Sequence, residues 1–114
     1  MYVVIFELEP TESGQEAYLK IAAQLRQELN NHPGLISIER FQSLVDQGKL
    51  LSLSYWQDEA AIEKWRNTME HRAAQSQGRQ TLFKNYSIRV AKVVRDYTKE
   101  NRDQAPEDSN AAFS

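Results

Sequence analysis

Six apolar-patterned segments follow one another in this chain, and their order constrains the fold more than any single residue does. Residues 2–9 are dense in Val, Ile and Phe and read as a buried strand that Pro10 stops. Ser13-Gly14-Gln15-Glu16 has capping-box spacing, and the helix that follows places Tyr18, Ile21, Ala22, Leu25 and Leu29 on one face. Pro33 disfavours the helical conformation at His32 and ends that helix, leaving His32 as a solvated turn residue. Residues 35–45 and 49–56 read as two strands joined at Asp46-Gln47-Gly48, a hairpin signal in which Gly48 can supply a positive φ. Leu51, Leu53 and Tyr55 then share one face, and Ser52, Ser54 and Trp56 the other. Asp58 is an N-cap for a second helix bearing Ala61, Ile62, Trp65 and Met69. Asn67-Thr68-Met69-Glu70 repeats the capping pattern and predicts a break and restart, with Gly78 closing the second piece. Residues 79–85 form a polar connection anchored by Leu82 and Phe83, and residues 86–97 a long last strand, apolar on both faces.

Strand, helix, strand, strand, helix, strand is the split βαβ order, so the fold class is α+β and ferredoxin-like. Its antiparallel sheet carries both helices on one face. The other face would be bare and apolar, which predicts a partner, and a homodimer with the sheets facing each other is the simplest closed solution. Residues 1–97 make up this domain. Residues 98–114 are a polar C-terminal tail with too little apolar surface to fold alone, and it is expected to be disordered.

Composition removes several function classes. A formal net charge of −2 lacks the basic footprint of a nucleic-acid binder. The absence of cysteine excludes disulfides, thiolate nucleophiles and thiolate metal sites. With 2 histidines a metal site would need mostly carboxylates, and no ligand spacing suggests one. No apolar run reaches membrane-spanning length, and Met1-Tyr2-Val3-Val4-Ile5-Phe6 has no basic region ahead of it, so it reads as the first strand of a cytoplasmic protein. No Gly-rich phosphate loop or Ser-His-Asp pattern is present.

The chemistry-bearing residues concentrate in one stretch. Both tryptophans, Trp56 and Trp65, lie between Tyr55 and Lys64-Trp65, and His71, Arg72 and Arg79 follow. Trp65 has two readings: a pocket wall flanking a flat ligand, or a core residue on the stripe with Ala61, Ile62 and Met69. Trp56 anchors the strand–helix junction. A histidine titrates near neutrality, so His71 is a candidate general base, or else a capping residue of the restarted helix. Arg72, Arg79 and Arg89 could each hold an anion or form an ordinary ion pair. Tyr18, Tyr55 and Tyr86 could hydrogen-bond a phenolic ligand or serve as amphipathic core residues.

The chain resembles the antibiotic biosynthesis monooxygenase superfamily of dimeric α+β barrels. The resemblance runs through Pro33-Gly34-Leu35, Phe41-Gln42-Ser43, Gly48-Lys49-Leu50-Leu51-Ser52-Leu53-Ser54-Tyr55-Trp56 and Ala61-Ile62-Glu63-Lys64-Trp65-Arg66-Asn67. It continues in His71-Arg72-Ala73-Ala74-Gln75, Gly78-Arg79 and Tyr86-Ser87-Ile88-Arg89-Val90-Ala91, covering roughly residues 2–97. It implies a pocket in each protomer between sheet and helices, and a cofactor-independent monooxygenase acting on a small flat aromatic of the phenol or quinol kind. His71 and Trp65 would be the catalytic pair, and Tyr55, Arg72, Arg79, Phe83, Tyr86 and Arg89 the substrate-binding set. The alternative is a non-catalytic dimer holding a small hydrophobic ligand or heme. The heme-degrading branch carries an asparagine on the first strand, where this chain has Phe6 and Glu7, and an axial histidine at a position falling near Gln75. Heme is therefore not favoured.

Overall fold

The computed structural model of the protein describes residues 1–74 and 82–112, with the side chains of residues 71–74 outside that description. Its elements are β1 (Tyr2–Pro10), α1 (Gly14–Leu29), β2 (Leu35–Gln42), β3 (Leu50–Trp56), α2 (Glu59–Ala74), β4 (Phe83–Lys92) and a short α3 (Glu107–Ala111). The four strands form one sheet in the order β2-β3-β1-β4, with every neighbouring pair antiparallel. This is the ferredoxin-like α+β arrangement that the segment order predicts.

Register decides which residues meet the helices. Val4, Phe6 and Leu8 of β1 lie opposite Ser54, Ser52 and Leu50 of β3 and opposite Val90, Ile88 and Tyr86 of β4. Val4, Phe6, Leu8 and Trp56 are buried there under Tyr18, Ala22, Leu25 and Leu29 of α1 and Ala61, Ile62, Trp65 and Met69 of α2. The opposite face pairs Val3 with Tyr55 and Ala91, and Ile5 with Leu53 and Arg89. No helix covers it. Glu7 stands on that face within 3.5 Å of Lys49 and 3.7 Å of Arg89. Such exposed pairs contribute little stability, so the face is an apolar surface with a charged border.

Three local expectations give way to packing. The capping box at Ser13 does not form: Ser13 sits in the right-handed helical region and makes no side-chain cap. The carbonyl of Thr11 accepts the amides of Gly14 (2.9 Å) and Gln15 (3.1 Å) in its place. Thr11 donates its own amide to the carbonyl of Leu82 at 3.0 Å, and Gly14 lies so close to that carbonyl that a β-carbon would collide with it. Helix α2 does not break at Asn67. It runs continuously from Glu59 to Ala74, because Ala61, Ile62, Trp65 and Met69 form one buried stripe across the expected break. The last strand begins at Phe83 and ends at Lys92 rather than spanning 86–97. Its length is set by β1: Phe83 pairs with Pro10, Lys92 with Tyr2, and the amide of Val93 then reaches Met1. Gly78 lies outside the described residues.

The hairpin between β2 and β3 forms without a left-handed glycine. Its strands stop at Gln42 and Leu50, and side chains hold the turn: the amide of Gly48 donates to Asp46 Oδ1 at 3.0 Å, and Ser43 Oγ accepts from Asp46 at 3.0 Å. His32 is not simply solvated. Its Nδ1 accepts the amide of Gly34 at 3.1 Å, and its ring meets Trp56 edge-on at 6.1 Å. Gly34 is required at that turn because a β-carbon there would strike Ala61. Beyond β4 the polar segment has no buried residue in α3. It nevertheless folds locally around Arg102, which lies 5.0 Å from the centre of the Tyr97 ring and donates to Ser109 Oγ at 2.7 Å and Asn110 Oδ1 at 3.1 Å. Polar contacts within 15 residues give that order where no apolar core exists.

Asp58 behaves as its sequence position predicts, accepting the amide of Ala61 at 2.8 Å through Oδ1. Asp58→Ala removes the cap of the helix that carries Trp65. A loss of about 1 kcal/mol in urea unfolding is expected, with unchanged steepness of the transition.

Candidate functional site

Side-chain volume on the helix-facing side of the sheet is distributed unevenly, and this creates the site. On the β4 side of Phe6 stand Phe83 and Tyr86, with ring centres 6.0 Å from the Phe6 ring in both cases. On its β3 side stand Ser52 and Ser54. The aromatic side is filled. The serine side leaves a cavity of about 520 Å³ between β2–β3 and the two helices.

Trp65, Met69, Ala22, Leu25 and Ile38 give the cavity apolar walls, and Tyr18, Ser52, Arg26 and Arg40 bring polar groups to it. A mostly apolar recess with a few convergent polar groups is the usual form of a small-molecule site. Trp65 is 1% exposed and meets Phe6 edge-on at 5.7 Å. It is thus both a core residue and a wall of the cavity, and the two readings of its sequence position are one arrangement.

Tyr18 is 1% exposed, and burial pushes its phenol up to about 12, with the nearby Arg40 charge opposing the shift. Its hydroxyl has no hydrogen-bond partner among the described residues, yet no described buried side-chain polar atom is left both enclosed and unpaired. The hydroxyl therefore opens into the cavity. The same reasoning applies to Ser52, whereas Ser54 is occupied by Trp56 Nε1 at 2.8 Å. At neutral pH Tyr18 is a neutral donor facing the cavity.

Arg40 reaches the site because β2 pairs it with Ser52, on the helix-facing side. Arg26 reaches it from the last turn of α1, beside Leu25. Neither guanidinium has an ion pair with a described carboxylate within 4.0 Å.

The residues expected from sequence separate into groups. Trp65 and Tyr55 border the cavity, although register puts the Tyr55 side chain on the other face, opposite Val3 and Ser37. Its strand therefore offers the cavity main chain rather than a phenol. Phe83 and Tyr86 stand on the helix-facing side but beyond Phe6, 5.7 Å from each other, and do not line the cavity. Arg89 turns to the uncovered face, where it meets Glu7 and donates to Ser87 Oγ at 3.0 Å. The side chains of His71 and Arg72, and all of Arg79, lie outside the described residues. Sequence reasoning named Tyr18 as a possible donor to a phenolic ligand and missed Arg26 and Arg40 as residues of the site. Arg40 was findable: it follows Ile38 by two positions on a strand, so the two share a face.

Comparison with known proteins gives a consistent picture. A family model described as antibiotic biosynthesis monooxygenase matches residues 1–77. A protein of Pyricularia oryzae named jasmonate monooxygenase ABM is 44% identical over 94 residues, which are 82% of this chain and 44% of that protein. The chain thus spans less than half of that relative. Among solved structures, Rv0793 of Mycobacterium tuberculosis superposes with a TM-score of 0.67 at 15% identity, covering 85% of this chain and 98% of that one. The heme-degrader MhuD of the same organism gives a TM-score of 0.60 at 17% identity, over 86% and 100%. At such identities the structural likeness speaks for the fold alone.

The raised Tyr18 phenol sets a sign for alkaline stability. Between its ordinary value of 10.0 and about 12 the folded protein keeps a proton that the unfolded chain has released, so stability falls as pH rises through that window. Relative to Tyr18→Phe, the wild type should lose on the order of 1.4 kcal/mol per pH unit there, read from urea unfolding at each pH.

Proposed function

The chain belongs to the antibiotic biosynthesis monooxygenase family, and from that premise we propose that it is a cofactor-independent monooxygenase acting on a small, flat, electron-rich aromatic of the phenol or quinol kind. One observation carries this reading: a cavity between sheet and helices with a Trp65 wall and the Tyr18 hydroxyl open to it. The ring of the substrate would lie against Trp65 and Met69. Tyr18 would donate to the oxygen that becomes anionic, and His71 would take its proton. A phenolate or enolate gives up an electron to dioxygen far more readily than the neutral molecule. Recombination of the resulting pair forms a carbon–oxygen bond, and loss of water leaves a carbonyl. The sum, R₂CH₂ + O₂ → R₂C=O + H₂O, balances with the substrate supplying all four electrons. A relative named for jasmonate supports monooxygenation within the family and leaves the ring chemistry of this chain to experiment.

Heme is the less favoured ligand in this reading, because Phe6 and Glu7 stand where the heme-degrading branch carries an asparagine, and Gln75 falls near the position of its axial histidine.

The homodimer belongs to the same proposal. The uncovered sheet face, with Val3, Ile5, Leu51, Leu53 and Tyr55 at its centre, is the surface a second copy would cover. No helix among the described residues is long and apolar enough to cross a membrane.

Oxygen uptake with a panel of hydroquinones and anthrone-type phenols tests the reaction. Turnover above buffer is expected, with a fall of about 100-fold in His71→Ala. No uptake with any of them, or unchanged rates in His71→Ala, would remove the assignment. For the assembly, light scattering at micromolar concentration should give the mass of two chains, and Leu53→Glu should give that of one.

A further inference from the structure

We propose that the cavity selects an acid: Arg40 and Arg26 at its mouth hold a carboxylate carried by the substrate, while the apolar body lies inward against Trp65 and Met69. This inference rests on the reading of the cavity as the substrate site and names the class of molecule that enters it.

Positive charge placed at the cavity is the first observation. Lys20 lies 3.8 Å from Glu16, and Lys49 and Arg89 both reach Glu7. Arg26 and Arg40, like Lys64, Arg66 and Lys92, form no ion pair with a described carboxylate, and of these it is Arg26 and Arg40 that line the cavity. Arg26 reaches the cavity from α1 and Arg40 from β2, and no described carboxylate comes within 4.0 Å of either. Glu39 borders the same cavity, but strand alternation sends its side chain to the face opposite Arg40, where β3 pairs it with Leu53.

Ligand geometry is the second. A guanidinium is planar and offers paired donors that match the two oxygens of a carboxylate. Both arginines are exposed, so they hold their charge in water and meet a ligand at the rim. Immediately inward the lining becomes Ala22, Leu25, Trp65 and Met69, where an anion would be poorly solvated. A molecule with a carboxylate at one end and an apolar body at the other satisfies both regions at once. Tyr18 lines the same cavity as a buried, neutral donor close enough for the Arg40 charge to act on its phenol. No Gly-rich loop is present in the sequence to supply the amides that commonly cradle a phosphate ester.

Calorimetric titration under nitrogen tests this without turnover, using 1-naphthylacetate, its methyl ester and 1-naphthol. The acid should bind the wild type at least 10-fold more tightly than the ester or the naphthol, with the preference shrinking as salt is raised. Arg26→Gln combined with Arg40→Gln should erase the preference while leaving ester affinity in place, and Arg40→Lys should restore part of it. An ester that binds as tightly as the acid overturns the proposal. So does naphthol binding equal to the acid, a preference that survives in the double variant, or no binding of any probe at millimolar concentration. Failure of oxygen uptake with the acid preference intact removes the oxidative reading and leaves this one standing. Turnover of neutral phenols with no acid preference does the reverse.

Discussion

The edge-to-face packing of four aromatic rings around Phe6 is the contact on which the rest of the structure depends. From the centre of β1, Phe6 meets Tyr18 of α1 at 6.4 Å, Trp65 of α2 at 5.7 Å, and Phe83 and Tyr86 of β4 at 6.0 Å each. One residue thereby joins both helices to the sheet and ties the last strand to the first. Each such pair contributes about 0.5–1.5 kcal/mol beyond its buried area, and removing a buried phenylalanine ring costs roughly 3–5 kcal/mol. Against a typical total of 5–15 kcal/mol for a domain, no other side chain in the described core has comparable reach. The same contact also locates the site. Because the rings crowd toward β4, the space over β3 is left to Ser52 and Ser54, and the cavity opens there.

Register converts this local packing into two distinct surfaces. A slip of one residue between β1 and β3 would bring Val3 and Ile5 under the helices and turn Phe6 outward. In the observed register the aromatic residues and the serines face the helices, while Val3, Ile5, Leu51 and Leu53 face away with the Glu7, Lys49 and Arg89 charges at their margin. The face that holds the cavity and the face that a second copy would cover are therefore set by one choice of pairing. A change at the centre of β1 is felt on both.

The order of elements and the buried stripes were legible because apolar periodicity reports directly on burial. Val4-Phe6-Leu8, Tyr18-Ala22-Leu25-Leu29 and Ala61-Ile62-Trp65-Met69 all lie where their spacing puts them. Capping signals were legible only where nothing competed. Asp58 caps α2, but Ser13 loses to the Thr11 carbonyl, which a tertiary hydrogen bond to Leu82 holds in place. The pattern at Asn67-Thr68-Met69-Glu70 loses to the continuous stripe that Met69 completes. The site was legible in its wall and not in its charges. Trp65 announces itself by type and spacing, whereas an arginine on a strand or helix looks alike in sequence whether it faces a carboxylate, solvent or a cavity. Arg89 faces Glu7, and Arg40 faces the cavity. The pairing of β2 with β3 puts Arg40 on the helix-facing side with Ile38, and the pairing of β4 with β1 puts Arg89 on the other.

Solvation explains how polar groups are graded through the cavity. An ionised group moved away from water loses several kcal/mol unless a partner compensates, so permanent charges belong where solvent still reaches them. Arg26 and Arg40 are exposed, and Tyr18, the titratable group that is buried, is the one whose ordinary state is neutral. Burial reinforces that neutrality by raising its phenol, and the pull of Arg40 does not reverse it. A hydroxyl that stays protonated can donate to an oxygen becoming anionic without adding a second negative charge to an apolar recess. A cation in its place would have needed a buried counter-ion, and an anion would have repelled the species it is meant to stabilise. The cavity thus offers charge where solvent still reaches it and a neutral donor among buried apolar walls, so a molecule bearing one ionised group can keep that group solvated while its apolar body is buried.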